Sequence, residues 1–270
     1  MAASPASFWA QRATVEPLLA APRLLAAFDY DGTLVPIAPT PEEAVAGPGT
    51  RGALAALAGL PGTRLAVVSG RPVARLRELV GEAGAWLVGL HGLEVASPGE
   101  APRPRLDLEA SAAALGPLRA VAAKLAGRHP GVRVEDKGPT LALHTRLAAR
   151  ADATLAGGAF REAASAVPGY EVMAGKEVLE ARPAGVHKGG AVAELLRGWE
   201  GTSGGDVAVL YVGDDVTDED AFRALGGAPL AVTVQVGGSG ETAAQYRLEG
   251  QGEVAELLSW LAELRGARGA

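Results

Sequence analysis

The chain has 270 residues, 48% hydrophobic and 21% charged, with a formal net charge of −6 at pH 7. That acidic balance argues against a general nucleic-acid or anionic-membrane binder. With no cysteine at all, disulfides, thiolate metal sites and cysteine nucleophiles are excluded.

The length suffices for one large domain or two smaller ones. Met1 to Arg12 lacks the basic-then-apolar profile of a signal peptide. No apolar run approaches the roughly 18 residues needed to cross a bilayer, since Leu18 to Phe28 is broken by Pro22 and Arg23. The expectation is a soluble cytoplasmic protein, monomeric, with no membrane or nucleic-acid partner.

In chain order, Leu24–Asp29 reads as a short buried strand, and Thr50–Leu60 as a helix after the Pro48-Gly49 breaker. Leu65–Ser69 is a second buried strand, and Pro72–Val80 a helix with Pro in its first turn. Trp86–His91 and Leu93–Ala96 read as strands. Ala101-Pro102-Arg103-Pro104-Arg105 looks like a linker. Next come a helix over Leu106–Gly127, strands Val132–Asp136 and Thr140–Thr145, a helix Ala149–Ala166, and strands Tyr170–Met173 and Val178–Ala181. Arg182-Pro183-Ala184-Gly185 reads as a return linker. After it follow a helix Lys188–Arg197, the strong strand Val207–Val212, a short helix Thr217–Leu225, a strand Leu230–Val236 and an amphipathic helix Glu253–Leu264. Continuous apolar strands alternating with helices predict an α/β fold, a mostly parallel Rossmann-like sheet covered on both faces. The doubled helix-strand-strand pattern predicts a smaller α+β domain, residues 105–184, inserted between core segments 1–104 and 185–270.

Asp29-x-Asp31-Gly32 falls at the end of the first predicted strand. Side chains two apart on a strand share a face, and two buried like charges need a cation or a proton beside them. An exposed Asp-Gly turn is the other reading, and the pair alone leaves both open. Three further segments fall at or just after the ends of predicted core elements: Ser69-Gly70-Arg71, His187-Lys188-Gly189, and Gly213-Asp214-Asp215-x-Thr217-Asp218-Glu219-Asp220. In open α/β sheets, ligands bind outside the carboxyl ends of strands. Taken singly, Ser69-Gly70 suits a plain turn, Lys188 a solvated helix residue, and the acidic run a helix N-terminus. Together they suit phosphoryl transfer. One carboxylate attacks phosphorus, and a second protonates the leaving alkoxide, then activates water. Mg²⁺ compensates charge, and Ser, backbone N–H and Lys groups hold phosphoryl oxygens.

These four segments resemble, in order, the motifs of haloacid-dehalogenase-superfamily phosphatases. More narrowly the chain, from about residue 22 onward, resembles the trehalose-6-phosphate phosphatase family. That likeness is carried by Gly-Asp-Asp-x-Thr-Asp-Glu-Asp, Leu90-His91-Gly92-x-Glu94 and Gly175-Lys176-x-x-x-Glu180-x-Arg182-Pro183. The resemblance implies a Mg²⁺-dependent hydrolysis of trehalose 6-phosphate, the last step of trehalose biosynthesis, through an aspartyl-phosphate. By this likeness Asp29 is the nucleophile and a metal ligand, and Asp31 is the acid/base, giving the metal its backbone carbonyl. Asp214 is the third ligand, and Asp215 and Asp218 are further ligands or their support. Ser69 and Lys188 bind the phosphoryl group, with Lys188 restraining Asp29; Gly32 and Gly70 join the binding set. The insert matches the family's cap, whose sugar-binding residues map to Glu135, Lys137, Lys176 and Glu180. Arg71, His91, His144 and Arg146 are further lining candidates, although Thr145 stands where an aromatic is common in the family. A phosphatase for sucrose phosphate or a mannosyl phosphate, a non-catalytic sugar-phosphate-binding module, and phosphomutase or phosphonate chemistry are the alternatives.

Overall fold

The computed structural model describes residues 5–38, 43–81, 83–203, 206–238 and 240–267. In chain order the elements are β1 (Ala6–Ser7), α1 (Arg12–Leu19), β2 (Leu24–Asp29), α2 (Pro48–Ala58), β3 (Thr63–Val68), α3 (Val73–Val80), β4 (Trp86–Gly89), β5 (Glu94–Ala96) and β6 (Arg103–Pro104). Then follow α4 (Leu108–Ala114), α5 (Gly116–Arg128), β7 (Arg133–Asp136), β8 (Leu141–His144), α6 (Arg150–Ser165), β9 (Tyr170–Gly175) and β10 (Val178–Pro183). The chain closes with α7 (Lys188–Ser203), β11 (Ala208–Gly213), α8 (Val216–Leu225), β12 (Ala231–Val236), β13 (Tyr246–Leu248) and α9 (Gln251–Gly266). Among the described residues, no helix is long and apolar enough to cross a membrane. The chain divides into two compact units, Met1–Arg103 with His187–Ala270, and Pro104–Val186.

The first unit is built on a nine-stranded sheet in the order β1-β13-β12-β11-β2-β3-β4-β5-β6. From β1 to β4 neighbouring strands run parallel, and β5 returns antiparallel to β4. Side chains of β2 alternate between two cores, which is why the strand reads as an unbroken apolar run. Leu24, Ala26 and Phe28 pack with residues of α1, α2, α3 and α9. Leu25 and Ala27 pack with α7 and α8. Arg265, in the last turn of α9, is buried. Its guanidinium donates to the carbonyls of Leu19, Ala21, Pro22, Pro61 and Gly62 and to Thr63 Oγ1, tying α9 to the loops that start β2 and β3.

The second unit is a four-stranded antiparallel sheet, β7-β8-β10-β9. Its core joins Leu141, Leu143, Leu179 and Ala181 to Leu118 and Ala122 of α5 and Phe160 of α6. Glu135, Ala142 and Glu180 lie in one cross-strand row, and the neighbouring row, Val134, Leu143 and Leu179, packs in that core.

The structure corrects several sequence boundaries. The long helix expected over Leu106–Gly127 is two helices, broken at Leu115, because Pro117 lacks an N–H and restarts a helix at its first turn. Pro48 likewise opens α2 instead of preceding it. Trp86–His91 stops as a strand at Gly89, and Leu90 and His91 turn left-handed. Arg182 and Pro183 are not linker: they end β10, where Arg182 is buried and paired with Glu171 at 2.8 Å. Arg103–Pro104 forms a short edge strand.

Candidate active site

Strand register brings the predicted motifs together. β2 lies between β11 and β3, with Phe28 opposite Val212 and Asp29 opposite Val68. Ser69 and Asp214 are therefore the next residues outward on either side of Asp29. The chain leaves β2 toward β3 on one side, and β11 continues to β12 on the other, which makes this edge the topological switch point. Gly32 turns the chain at φ +95, and a Cβ there would lie 2.3 Å from Asp214 Oδ2. Gln251, at the start of α9, donates to the Gly32 carbonyl.

Lys188 begins α7, and its buried ammonium donates to Asp29 Oδ1 at 2.6 Å and Asp218 Oδ1 at 2.9 Å. Asp218 is fully buried and has both oxygens in use. Oδ1 also accepts from Tyr211 Oη at 2.7 Å, while Oδ2 accepts from the N–H groups of Asp214 at 3.1 Å and Asp215 at 3.0 Å. Burial alone would lower the Lys188 ammonium, but the Asp218 and Asp29 charges outweigh it and hold Lys188 protonated, above its ordinary value. Burial pushes the Asp29 carboxyl well up; Lys188 opposes this, while Asp218 and Asp214 add to it. Burial and the Asp218 charge raise the Tyr211 phenol in the same way.

Asp29, Asp214 and Asp218 present oxygens that all lie within 4.8 Å of one another. Among the described residues Lys188 sits against this carboxylate group, and an all-oxygen donor set suits a hard divalent cation such as Mg²⁺. Asp218 accepts four hydrogen bonds that hold Lys188 and the Asp214 and Asp215 backbone in place, and Asp29 and Asp214 are the pair that could face a cation. Asp215 stands outside this group as the N-cap residue of α8. The Asp31 side chain is held elsewhere: Arg71 takes both its oxygens, at 2.8 and 2.6 Å. Ser69 is buried, with its Oγ accepting from the Arg71 N–H at 3.1 Å, and buried His91 packs beside Gly70.

In the second unit, Glu135, Lys137 and Glu180 gather on one sheet face. Lys137 Nζ lies 3.1 Å from Glu180 Oε2 and 3.9 Å from Glu135 Oε2. Thr140 donates to Glu180 at 2.7 Å, and His144 bonds Glu135 at 2.9 Å. Burial pushes the Glu135 carboxyl up, but the His144 hydrogen bond and the Lys137 charge prevail and hold it below its ordinary value. Arg146 pairs with Glu177 at 3.2 Å. Lys176 is exposed in the same β9–β10 hairpin turn.

Sequence reasoning missed Tyr211, Thr140 and Gln251. Tyr211 alone left a trace, as the single polar-tipped side chain in an otherwise aliphatic strand.

The trehalose-phosphatase family profile matches residues 27–251. The trehalose-phosphate phosphatase of Mycobacterium marinum is 38% identical over 251 residues, 90% of this chain and 63% of that protein. The chain thus spans just under two thirds of that relative's length. The C-terminal domain of Candida albicans trehalose-6-phosphate phosphatase superposes with a TM-score of 0.86 at 26% identity, covering 97% of this chain and 99% of that one. An Aspergillus fumigatus trehalose-6-phosphate phosphatase gives 0.69 at 31% identity, covering 97% and 99%. With its strand-end carboxylates on a haloacid-dehalogenase fold, this chain belongs to the trehalose-phosphatase family.

Proposed function

We propose that the protein hydrolyses trehalose 6-phosphate to trehalose and inorganic phosphate, as the closing step of trehalose biosynthesis. The observation that carries this is Asp29, buried at the central strand end, clamped by Lys188 and within 4.8 Å of two more carboxylates. Asp29 Oδ attacks phosphorus as the bond from phosphorus to the sugar oxygen breaks, and Asp31 gives the leaving oxygen its proton. Water then loses a proton to Asp31 and attacks the aspartyl-phosphate, the Asp29–phosphorus bond breaks, and phosphate leaves with Asp29 regenerated. Mg²⁺, held by Asp29, Asp214 and the Asp31 carbonyl, supplies positive charge to the phosphoryl oxygens when bound. To work as acid and base, Asp31 must part from Arg71, and a phosphoryl group, with two oxygens to offer, is the alternative bidentate partner for that guanidinium. Ser69 and Lys188 hold the remaining oxygens.

Sugar recognition is assigned to the Pro104–Val186 unit, where Glu135, Lys137 and Glu180 converge and Lys176 stands exposed. Carboxylates accept from sugar hydroxyls, and ammonium groups donate to them. The reading extends to a cytoplasmic monomer, which size-exclusion chromatography checks. The central test is phosphate release from a panel of trehalose, sucrose and mannosyl phosphates with Mg²⁺. Trehalose 6-phosphate should lead, and preference for another substrate by about tenfold in kcat/KM, about 1.4 kcal/mol, overturns the substrate. Asp29→Asn should remain folded and release no phosphate; near-normal release refutes the nucleophile.

A further inference from the structure

We propose that the Gly89–Glu94 turn is a spacer that sets the Ser69 loop relative to Lys188, and that His91 is a positioning residue for Gly70 and not a substrate contact. The proposal rests on the phosphatase reading, in which Ser69 and Lys188 hold phosphoryl oxygens.

Leu90 and His91 are consecutive non-glycine residues at φ 48 and 56, and both are buried. Left-handed backbone at a bulky residue is unfavourable and persists only where its surroundings enforce it. Here they do. Leu90 N–H donates to the Arg71 carbonyl at 2.9 Å, and His91 N–H to the Ser69 carbonyl at 3.0 Å. The two residues flanking Gly70 are thereby pinned. The imidazole closes over Gly70 itself: a Cβ there would sit 2.4 Å from His91 Nε2. Glu94 finishes this side by accepting from the Val73 N–H at 2.8 Å, at the start of α3. The opposite side of the turn meets α7. A Cβ on Gly92 would lie 3.0 Å from the carbonyl of His187, the residue before Lys188. The turn is therefore wedged between the two segments that must hold one phosphoryl group, and its thickness sets their spacing. Such spacing matters because a 1 Å misplacement costs up to about a hundredfold in rate.

The test is a double-mutant cycle on the full chain, read as the Kd for inorganic phosphate by calorimetry with Mg²⁺ present, beside kcat and KM. Gly70→Ala should collide with the ring and weaken phosphate binding by about tenfold or more. Adding His91→Gly removes the ring that collides, and the double variant should bind phosphate at least about threefold more tightly than Gly70→Ala. A double variant no better than Gly70→Ala overturns the proposal, because His91 then acts through its own imidazole on the ligand. If Gly70→Ala does not fold, His91→Asn reads the same point, since Asn tolerates left-handed backbone. It should keep its thermal transition and bind phosphate about tenfold more weakly; unchanged binding overturns the proposal. Absence of phosphate binding by the unaltered protein overturns it as well. A protein that binds phosphate but turns over no sugar phosphate defeats the phosphatase reading while the cycle still decides this one.

Discussion

Replacing Asp218 by Asn keeps the shape of the side chain and exchanges one acceptor oxygen for an amide donor. Both oxygens now accept two hydrogen bonds each, from Lys188 and Tyr211 on one and from the Asp214 and Asp215 N–H groups on the other. Whichever way the amide turns, two buried donors lose their acceptor. Hydrogen bonds to a charged partner are worth about 1.5–3 kcal/mol each. Lys188 also loses one of its two counter-charges, and breaking a buried pair from one side costs about 3–5 kcal/mol. These figures describe overlapping interactions, so the expected loss is about 3–5 kcal/mol, measured by urea unfolding with circular dichroism in chelator. Asp214 is partly exposed, so Asp214→Asn should change stability little while abolishing Mg²⁺ binding in a calorimetric titration. A loss below about 1 kcal/mol for Asp218→Asn, within the range of an ordinary surface change, would refute the positioning role. If such a stable variant had lost Mg²⁺ binding, Asp218 would be a ligand.

Three more outcomes follow from the geometry. Arg265→Met takes a donor from five carbonyls and one hydroxyl at the start of β2 and β3, of which the Gly62 carbonyl keeps the Leu24 N–H; it should cost about 3–5 kcal/mol in urea unfolding, with Arg265→Lys recovering only part, since Lys offers fewer donors. An effect below about 1 kcal/mol would count against the clamp. Gly32→Ala places a Cβ 2.3 Å from the Asp214 carboxylate at φ +95, and should weaken Mg²⁺ binding by about tenfold or more by calorimetry in a folded protein; unchanged affinity would be inconsistent with the close packing. Glu135, held below its ordinary value near 4.5, stabilises its unit above that pH, and the contribution is lost as pH falls through the lower folded value. Carbon NMR titration should find the midpoint depressed, and His144→Gln should raise it; an unmoved midpoint would show that His144 is not the cause.

What the sequence showed was what repeats along a strand or stands in a short motif. The ends of β2, β3 and β11 could be placed because continuous apolar runs stop at Asp29, Ser69 and Asp214. β13 escaped because three residues make too short a pattern, and α1 because Pro17 interrupts it. The partners of the site were less legible for a different reason. Arg71 and Asp31 are 40 residues apart, and Lys188 and Asp29 are 159 apart. Which oxygen each cation takes depends on sheet register, which no local pattern carries. The same limit hid that Asp218 is saturated and that Arg146 turns to Glu177.

The nine-stranded sheet ends in very small pieces. Its outermost strands are Ala6–Ser7 and Arg103–Pro104, two residues each. An edge strand exposes unpaired N–H and C=O groups that can recruit another chain, and brevity, charge and proline all blunt it. Here one edge carries no more than two residues, and the other carries an arginine followed by a residue with no N–H to offer. The strands that end at the clustered carboxylates sit several positions in from either margin, so the most apolar segments of the chain are out of reach of edge-to-edge aggregation.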